Sequence, residues 1–500
     1  MTTTAPKPAP LVPGLWAIVG FLVCVELASG VLQGYYTPIF TDIADHLGIQ
    51  DADVNWFEAA QLIVSALVVP LLARLGDIIG HRNVLLISTA VTALGSWILA
   101  FSPSFTTFLI GWALQGAYVV WLPLEVAIIH RRTAESGAQT RLTRKAAAFL
   151  VAALELGVII GALTSGALVE STSMTFLLAL PAIVVTACFF VIWFGIEDVR
   201  GVSTGGIDYA GLVAITAVLG LVMGGLLAIR LQGIDSLLAW GLIIAGLLAL
   251  VPFGRLEAAQ AEPLVDVRLL GQPTQWPIQF TAFLFGMSVL GAQIPLSTFA
   301  RTDPEVGYGL GADAGFVSTL IGLYVVSLVV GALTLPLLAR LAGPRGALII
   351  GCLFVALGYA LWLPLHDTTG QALMNMAVAG LGSGVLVAAL PAAAAAAAPA
   401  DRTGFATGMT NATKTVGGAI ASAVFAIALA ATGSIDGPAE GHAPLSGYLT
   451  VWGVCAGAAL VAAVALLLLP KDALDDSAVP AGPVPDGLVP EDGTQGVLPR

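Results

Sequence analysis

Residues 174–196, MTFLLALPAIVVTACFFVIWFGI, run for twenty-three positions without a charged side chain. At about 1.5 Å of rise per residue, a helix of that length crosses roughly 30 Å of hydrocarbon. Apolar blocks of roughly 18 to 26 residues recur along the whole chain, which suits spanning helices. Only 10% of the residues are charged and 58% are hydrophobic, with a mean hydropathy of +0.94, more apolar surface than a soluble core needs. Fourteen spans fit, near 15–40, 55–74, 83–101, 105–130, 146–169, 174–196, 209–230, 236–254, 276–300, 315–339, 347–366, 371–398, 405–432 and 447–469. They are numbered one to fourteen below. The expected fold is an all-α integral membrane protein.

Fourteen crossings put both termini on one side. The basic loop Arg131, Arg132, Arg141, Arg144 and Lys145 makes that side cytoplasmic by the positive-inside rule. Of nineteen Lys and Arg, sixteen then lie in cytoplasmic segments or helix ends. Arg230 and Arg301 fall outside and Lys414 falls within a span. The loop after the first span is acidic, with Asp42, Asp45, Asp51 and Asp53. A net charge of −12 disfavours nucleic acid as a partner, and the expected partners are the lipid bilayer and a small-molecule substrate. Cys24, Cys188, Cys352 and Cys455 fall in separate apolar blocks, without metal or disulfide spacing, and read as small packing residues.

Pro-Leu-Leu-Ala-Arg-Leu occurs twice, at 70–75 ending the second span and at 336–341 ending the tenth. Gly116 is followed by Leu122-Pro123 in the fourth span, and Gly384 by Leu390-Pro391, at the same spacing, in the twelfth. Both echoes pair helices eight apart, so spans one to six match nine to fourteen. The division that follows is a tail at 1–14, a six-helix bundle at 15–200, an inserted helix pair with linkers at 201–275, a second bundle at 276–469, and a disordered tail at 470–500. Paired bundles of this kind form transporters, with the substrate site between the halves near mid-bilayer.

The loop after the second span reads Ala73-Arg74-Leu75-Gly76-Asp77-Ile78-Ile79-Gly80-His81-Arg82. It resembles the Gly-x-Leu-x-Asp-x-x-Gly-Arg-Lys signature of the major facilitator superfamily, which uses this loop as a conformational latch. Gly76 and Gly80 permit a tight turn, and Asp77 is free to accept from a helix N-terminus or to pair with a base such as Arg82. Fourteen spans with a central extra pair resemble the drug:proton antiporter branch. So do Trp56 and Asn411-Ala-Thr-Lys414-Thr-Val-Gly417-Gly418, where that branch commonly has Arg in place of Lys414.

Other marks of the branch are altered. Its fourth-helix Arg-x-x-Gln-Gly appears as Trp112-Ala-Leu-Gln115-Gly116, without the basic residue linked to proton coupling. Its fifth-helix pattern becomes Gly157-Val-Ile-Ile-Gly161-Ala162-Leu163-Thr164-Ser165-Gly166, which lacks the Pro but keeps the small residues that allow close helix contact.

Ionisable side chains deep in a bilayer cost several kcal/mol on some scales and mark function. Four stand out: Glu26, Glu125, Glu155 and Lys414. The resemblance implies that the first and fourth helices of each half line the cavity, which favours Glu26 as the proton or cation site. Glu125 reads either as a pathway residue or as a snorkelling partner of Arg131 or Arg132. Glu155 and Lys414 read first as hydrogen-bonding packing residues. Gln33, Gln115, Gln293 and Asn375 are candidates to line a polar cavity, and Tyr35 or Tyr36, Trp112 and Tyr118 to wall a lipophilic substrate.

No cofactor or metal is expected, since the five histidines lack ligand spacing. Gly408 to Thr415 mimics a phosphate-binding loop but lies inside an apolar helix, so it is a false match. The leading expectation is a monomeric secondary transporter of the inner or plasma membrane, exporting a lipophilic or amphipathic molecule by proton antiport. A specific metabolite or lipid carrier without strict antiport is the rival within transport. An embedded enzyme would need a catalytic constellation that the sequence does not offer, and a sensor or scaffold would need a signalling domain.

Overall fold

The computed structural model describes residues 16, 19–133, 139–197, 207–260, 263–399, 402–430, 443–470 and 473–474. The N-terminal tail, the linker 201–206 and the C-terminal tail from 475 onward lie outside them. Among the described residues all regular structure is helical, and twelve helices are long and apolar enough to cross a membrane. One of these, Ala314–Leu361, is two spans folded back at Gly343, whose φ of 75° and ψ of 165° leave helical geometry. The first span, Leu22–Tyr35, is shorter than the twelve. With these two adjustments the fourteen expected spans are accounted for.

Three spans depart from straight helices. The first ends at Tyr35 and continues as a turn, Thr37–Ile39, and a short helix, Phe40–Leu47, rather than running to 40. Pro38 has no N–H for the carbonyl four residues back, so the α-helical ladder stops there. The ninth breaks between Trp276–Val289 and Gln293–Arg301, where Pro295 leaves the Gly291 carbonyl without its donor. The fourth comprises Phe105–Gln115, a tighter turn at Gly116–Val120, and Trp121–Arg132.

The duplication is visible in the packing. A β-carbon on Gly30 of the first span would lie 2.0 Å from the Leu154 carbonyl of the fifth. One on Gly286 of the ninth would lie 1.9 Å from the Lys414 carbonyl of the thirteenth. Gly116 likewise meets the second span at the Gln61 carbonyl, and Gly384 meets the tenth at Leu328. The turns match as well: Gly80 has φ 98° and ψ 137°, close to Gly343, and both conformations favour glycine. Two residues after each glycine an arginine caps the sixth helix of its own half. Arg82 donates to the Trp193 carbonyl at 2.7 Å, and Arg345 to Leu467 at 2.6 Å.

The inserted pair, Tyr209–Gln232 and Leu237–Ala259, packs on itself where Gly225 meets the Ala239 carbonyl. Leu237, Trp240, Ile244, Leu248 and Val251 of its outer helix are exposed, an apolar face suited to lipid. Its inner helix reaches the bundle through Arg230, whose Nε and Nη2 donate to the two Asp53 oxygens at 2.9 and 2.8 Å. Both side chains are buried, at 1% and 0% exposure. At the same end, which carries the acidic first loop, Arg301 pairs with Asp42 at 3.0 Å and Ser297 donates to the Thr37 carbonyl, joining the halves. The two basic residues expected outside are thus the partners of two acidic residues in the first loop. Three cysteines are buried as packing residues, whereas Cys24 is exposed.

Candidate functional site

Glu26, midway along the first span, and Glu125, in the second segment of the fourth, have no exposed surface. Their carboxyls are neighbours, and none of the four oxygens makes a hydrogen bond of ordinary geometry. Glu125 is fully buried within the bundle, with Arg132 in electrostatic reach. The Tyr118 phenol lies close to Glu26 and to a third acid, Glu58. Glu58 lies within the 55–74 span, where the sequence reading passed over it, and its carboxyl neighbours the Trp112 indole. The first half therefore buries Glu26 and Glu125 together, with the Tyr118 phenol and a half-buried third acid, Glu58, within electrostatic reach.

Gln115 completes this region by linking three spans, with Nε2 donating to Tyr36 Oη at 2.9 Å and to Ser96 Oγ at 2.8 Å. Trp112 packs on Tyr36, Phe40, Phe57 and Phe108 and is 2% exposed, so it belongs to an aromatic core rather than a cavity wall. Tyr35 is also buried, its hydroxyl donating to the Leu177 carbonyl at 2.8 Å and tying the first span to the sixth. Asn375 is fully buried and donates to the Leu365 carbonyl at 2.7 Å, which pins the turn before the twelfth span. In this conformation Trp112, Tyr35 and Asn375 do not line a cavity. Gln33 is exposed two turns from Glu26 on one helix face, and Gln293 is half-buried, bonded to Val289 of its own span at 3.2 Å.

Glu155 and Lys414 are half-buried on the fifth and thirteenth spans, close enough for each charge to act on the other. Beside Lys414, Thr413 Oγ1 donates to Gln279 Oε1 at 3.3 Å, and Gln279 Nε2 donates to the Ala406 carbonyl at 3.1 Å. In the loop between the second and third spans, Asp77 pairs with His81 at 3.4 Å, one helical turn on, and not with Arg82. Arg82 is committed to the Trp193 carbonyl, and Gly76 lets Leu124 approach within 3.0 Å of where a β-carbon would stand. Among the described residues no three His, Cys, Asp or Glu side chains converge as metal ligands.

Two bundles, a lipid-facing insertion and buried carboxyls make a membrane transporter, and the comparisons agree. The profile of the Major Facilitator Superfamily matches residues 22–422 and 278–491. The uridine/deoxyuridine transporter of Lactococcus lactis subsp. cremoris is 24% identical over 354 residues, 69% of this chain and 72% of that protein. The cephamycin export protein CmcT of Amycolatopsis lactamdurans is 29% identical over 415 residues, covering 81% and 82%. In fold, the chain is similar to the POT family transporter PepTSo, with a TM-score of 0.66 at 13% identity, covering 92% of this chain and 99% of that one. The chain belongs to the major facilitator superfamily.

Proposed function

We propose that the chain exports an amphipathic small molecule across the plasma membrane in exchange for protons, as a monomer with both termini cytoplasmic. The observation that carries this reading is the buried Glu26 and Glu125 pair. Two like charges in contact at an effective dielectric of about 20 repel by about 4 kcal/mol, so the sealed pair retains at least one proton. Hydration from one side removes that penalty and lets the proton leave. Alternating access then makes proton release on one side and uptake on the other part of the same cycle.

The Arg that the antiporter branch carries at the place of Trp112 would have supplied a countercharge, and in its absence protons take that role. The Arg301–Asp42 contact and the Ser297–Thr37 hydrogen bond join the halves at the acidic-loop end, which supports reading this conformation as closed there and open toward the basic loops. Similarity to a cephamycin export protein supports outward transport. Similarity to a uridine/deoxyuridine transporter favours the second reading, a dedicated metabolite carrier.

The test is a proteoliposome assay under an imposed pH gradient. Wild-type protein should accumulate substrate and move protons in the opposite direction, and Glu26→Gln should end the coupling. A Glu26→Gln variant that still transports uphill, driven by the proton gradient, would sink the proposal.

A further inference from the structure

The fifth and thirteenth spans occupy matching places in the two halves. Gly30 lies against the Leu154 carbonyl as Gly286 lies against that of Lys414, so residues 154 and 414 are equivalent in the repeat. Glu155, the next residue, therefore stands across the axis of the repeat from Lys414. Contacts between the halves fix the faces involved. Ser318 Oγ of the tenth span donates to the Ala162 carbonyl at 2.7 Å, and Glu155 is seven residues before Ala162, two turns away on the same face. At Gly418, one turn after Lys414, a β-carbon would meet Leu290 of its own half at 2.7 Å and Leu62 of the second span at 3.0 Å, so this face borders the other half. Tyr324 lies six residues beyond Ser318 on a span running the opposite way to the fifth. It reaches the depth of Glu155, roughly 10 Å below that contact.

The three side chains are half-buried, and Tyr324 and Lys414 each lie within electrostatic reach of Glu155. The Tyr324 hydroxyl is buried without a hydrogen bond of ordinary geometry. Glu155 and Lys414 form no direct ion pair with each other. Two opposite charges partly withdrawn from water regain solvation through close contact and further hydrogen bonds. Half-buried and apart, Glu155 and Lys414 each keep surface open to a counter-group placed between them.

We infer that the gap between Glu155 and Lys414 is a binding site for an amphoteric molecule, its anionic group held by Lys414 and its ammonium group by Glu155. This rests on the transport reading above and narrows its substrate class. A permanent cation satisfies Glu155 but faces Lys414, and an anion meets the reverse, so singly charged molecules leave one charge uncompensated. Because the two residues belong to different halves, the bound molecule also bridges them.

The test uses full-length protein in proteoliposomes and three kinds of probe. These are norfloxacin and cephalexin as zwitterions, their methyl esters and N-acetyl derivatives with one charge removed, and ethidium as a permanent cation. Wild-type protein should bind and move a zwitterion with at least about tenfold preference over either blocked derivative, the effect of losing one charged hydrogen bond. Lys414→Gln should abolish the preference for free acid over ester while keeping that for amine over amide. Glu155→Gln should do the opposite. Lys414→Arg should keep both and controls for folding. Ethidium moved with neither zwitterion, or an acid-over-ester preference that survives Lys414→Gln, overturns the inference while leaving the exporter intact. No gradient-driven movement of any probe overturns the underlying reading as well.

Discussion

Arg230 and Asp53 offer the sharpest test of how the inserted pair is held. Each side chain is within 1% of full burial, and two hydrogen bonds of 2.9 and 2.8 Å join them. Arg230→Met removes the charge and both of these hydrogen bonds from Asp53 but keeps much of the stem volume. Breaking one partner of a buried pair costs about 3–5 kcal/mol, whereas replacing both with apolar groups of similar volume is often neutral. Asp53→Leu should cost a similar amount alone. The double variant should lose less than about 1 kcal/mol, giving a coupling energy of about 3 kcal/mol or more. Unfolding titrated with SDS in mixed micelles and followed by tryptophan fluorescence reads all four proteins. Single variants that each lose under about 1 kcal/mol, or a double variant whose loss is the sum of the singles, would refute the claim that this pair anchors the insertion.

Other expectations are as direct. Gly30→Ala and Gly286→Ala place a β-carbon about 2 Å from a carbonyl oxygen and should each cost about 3 kcal/mol, while Gly48→Ala, with open space but φ of 65°, should cost about 1; the same micelle titration ranks them. Arg345→Ala should loosen the second half about as much as Arg82→Ala loosens the first, by about 1 kcal/mol for a solvent-exposed bond, and protease protection near Leu467 and Trp193 compares them. Burial pushes the Asp42 carboxyl above its usual range even beside Arg301. A pKa higher in the closed form than in a hydrated open one means that the closed form binds the proton more readily. Acidification through the interval above the ordinary value, about 4, should therefore favour closure of the acidic-loop end. Labelling of a cysteine placed at that end should fall with pH in wild type and stay flat in Asp42→Asn. A rise in labelling on acidification would contradict the sign.

The architecture was legible because its causes are one-dimensional. Hydrocarbon thickness sets span length, and a repeated hexapeptide marks duplication. The reading overran in the first span, where hydropathy continues past Pro38 although that helix's hydrogen-bond ladder stops at Tyr35; in the ninth it matched the bounds and missed the break between Val289 and Gln293. Glu26, Glu125, Glu155 and Lys414 were found as charges in apolar blocks, but which of them meet was not. That depends on the rotation of each helix, which Gly157, Gly286 and Gly418 set through contacts far apart in sequence. Glu58 escaped notice because it opens a helix, where a carboxylate ordinarily serves the helix dipole. Asp77 had a helix N-terminus or a base such as Arg82 as expected partners, yet the turn at Gly80 aims Arg82 at the sixth span and leaves His81 one turn away.

The two glycine turns leave almost no connecting chain between the second and third spans or between the tenth and eleventh. Helices hinged so tightly keep a nearly constant separation at that end whatever the rest of the protein does. Spectroscopic labels flanking Gly80 and Gly343 thus provide two built-in rulers, one per half, against which any distance that changes during turnover is assignable to relative displacement of the halves.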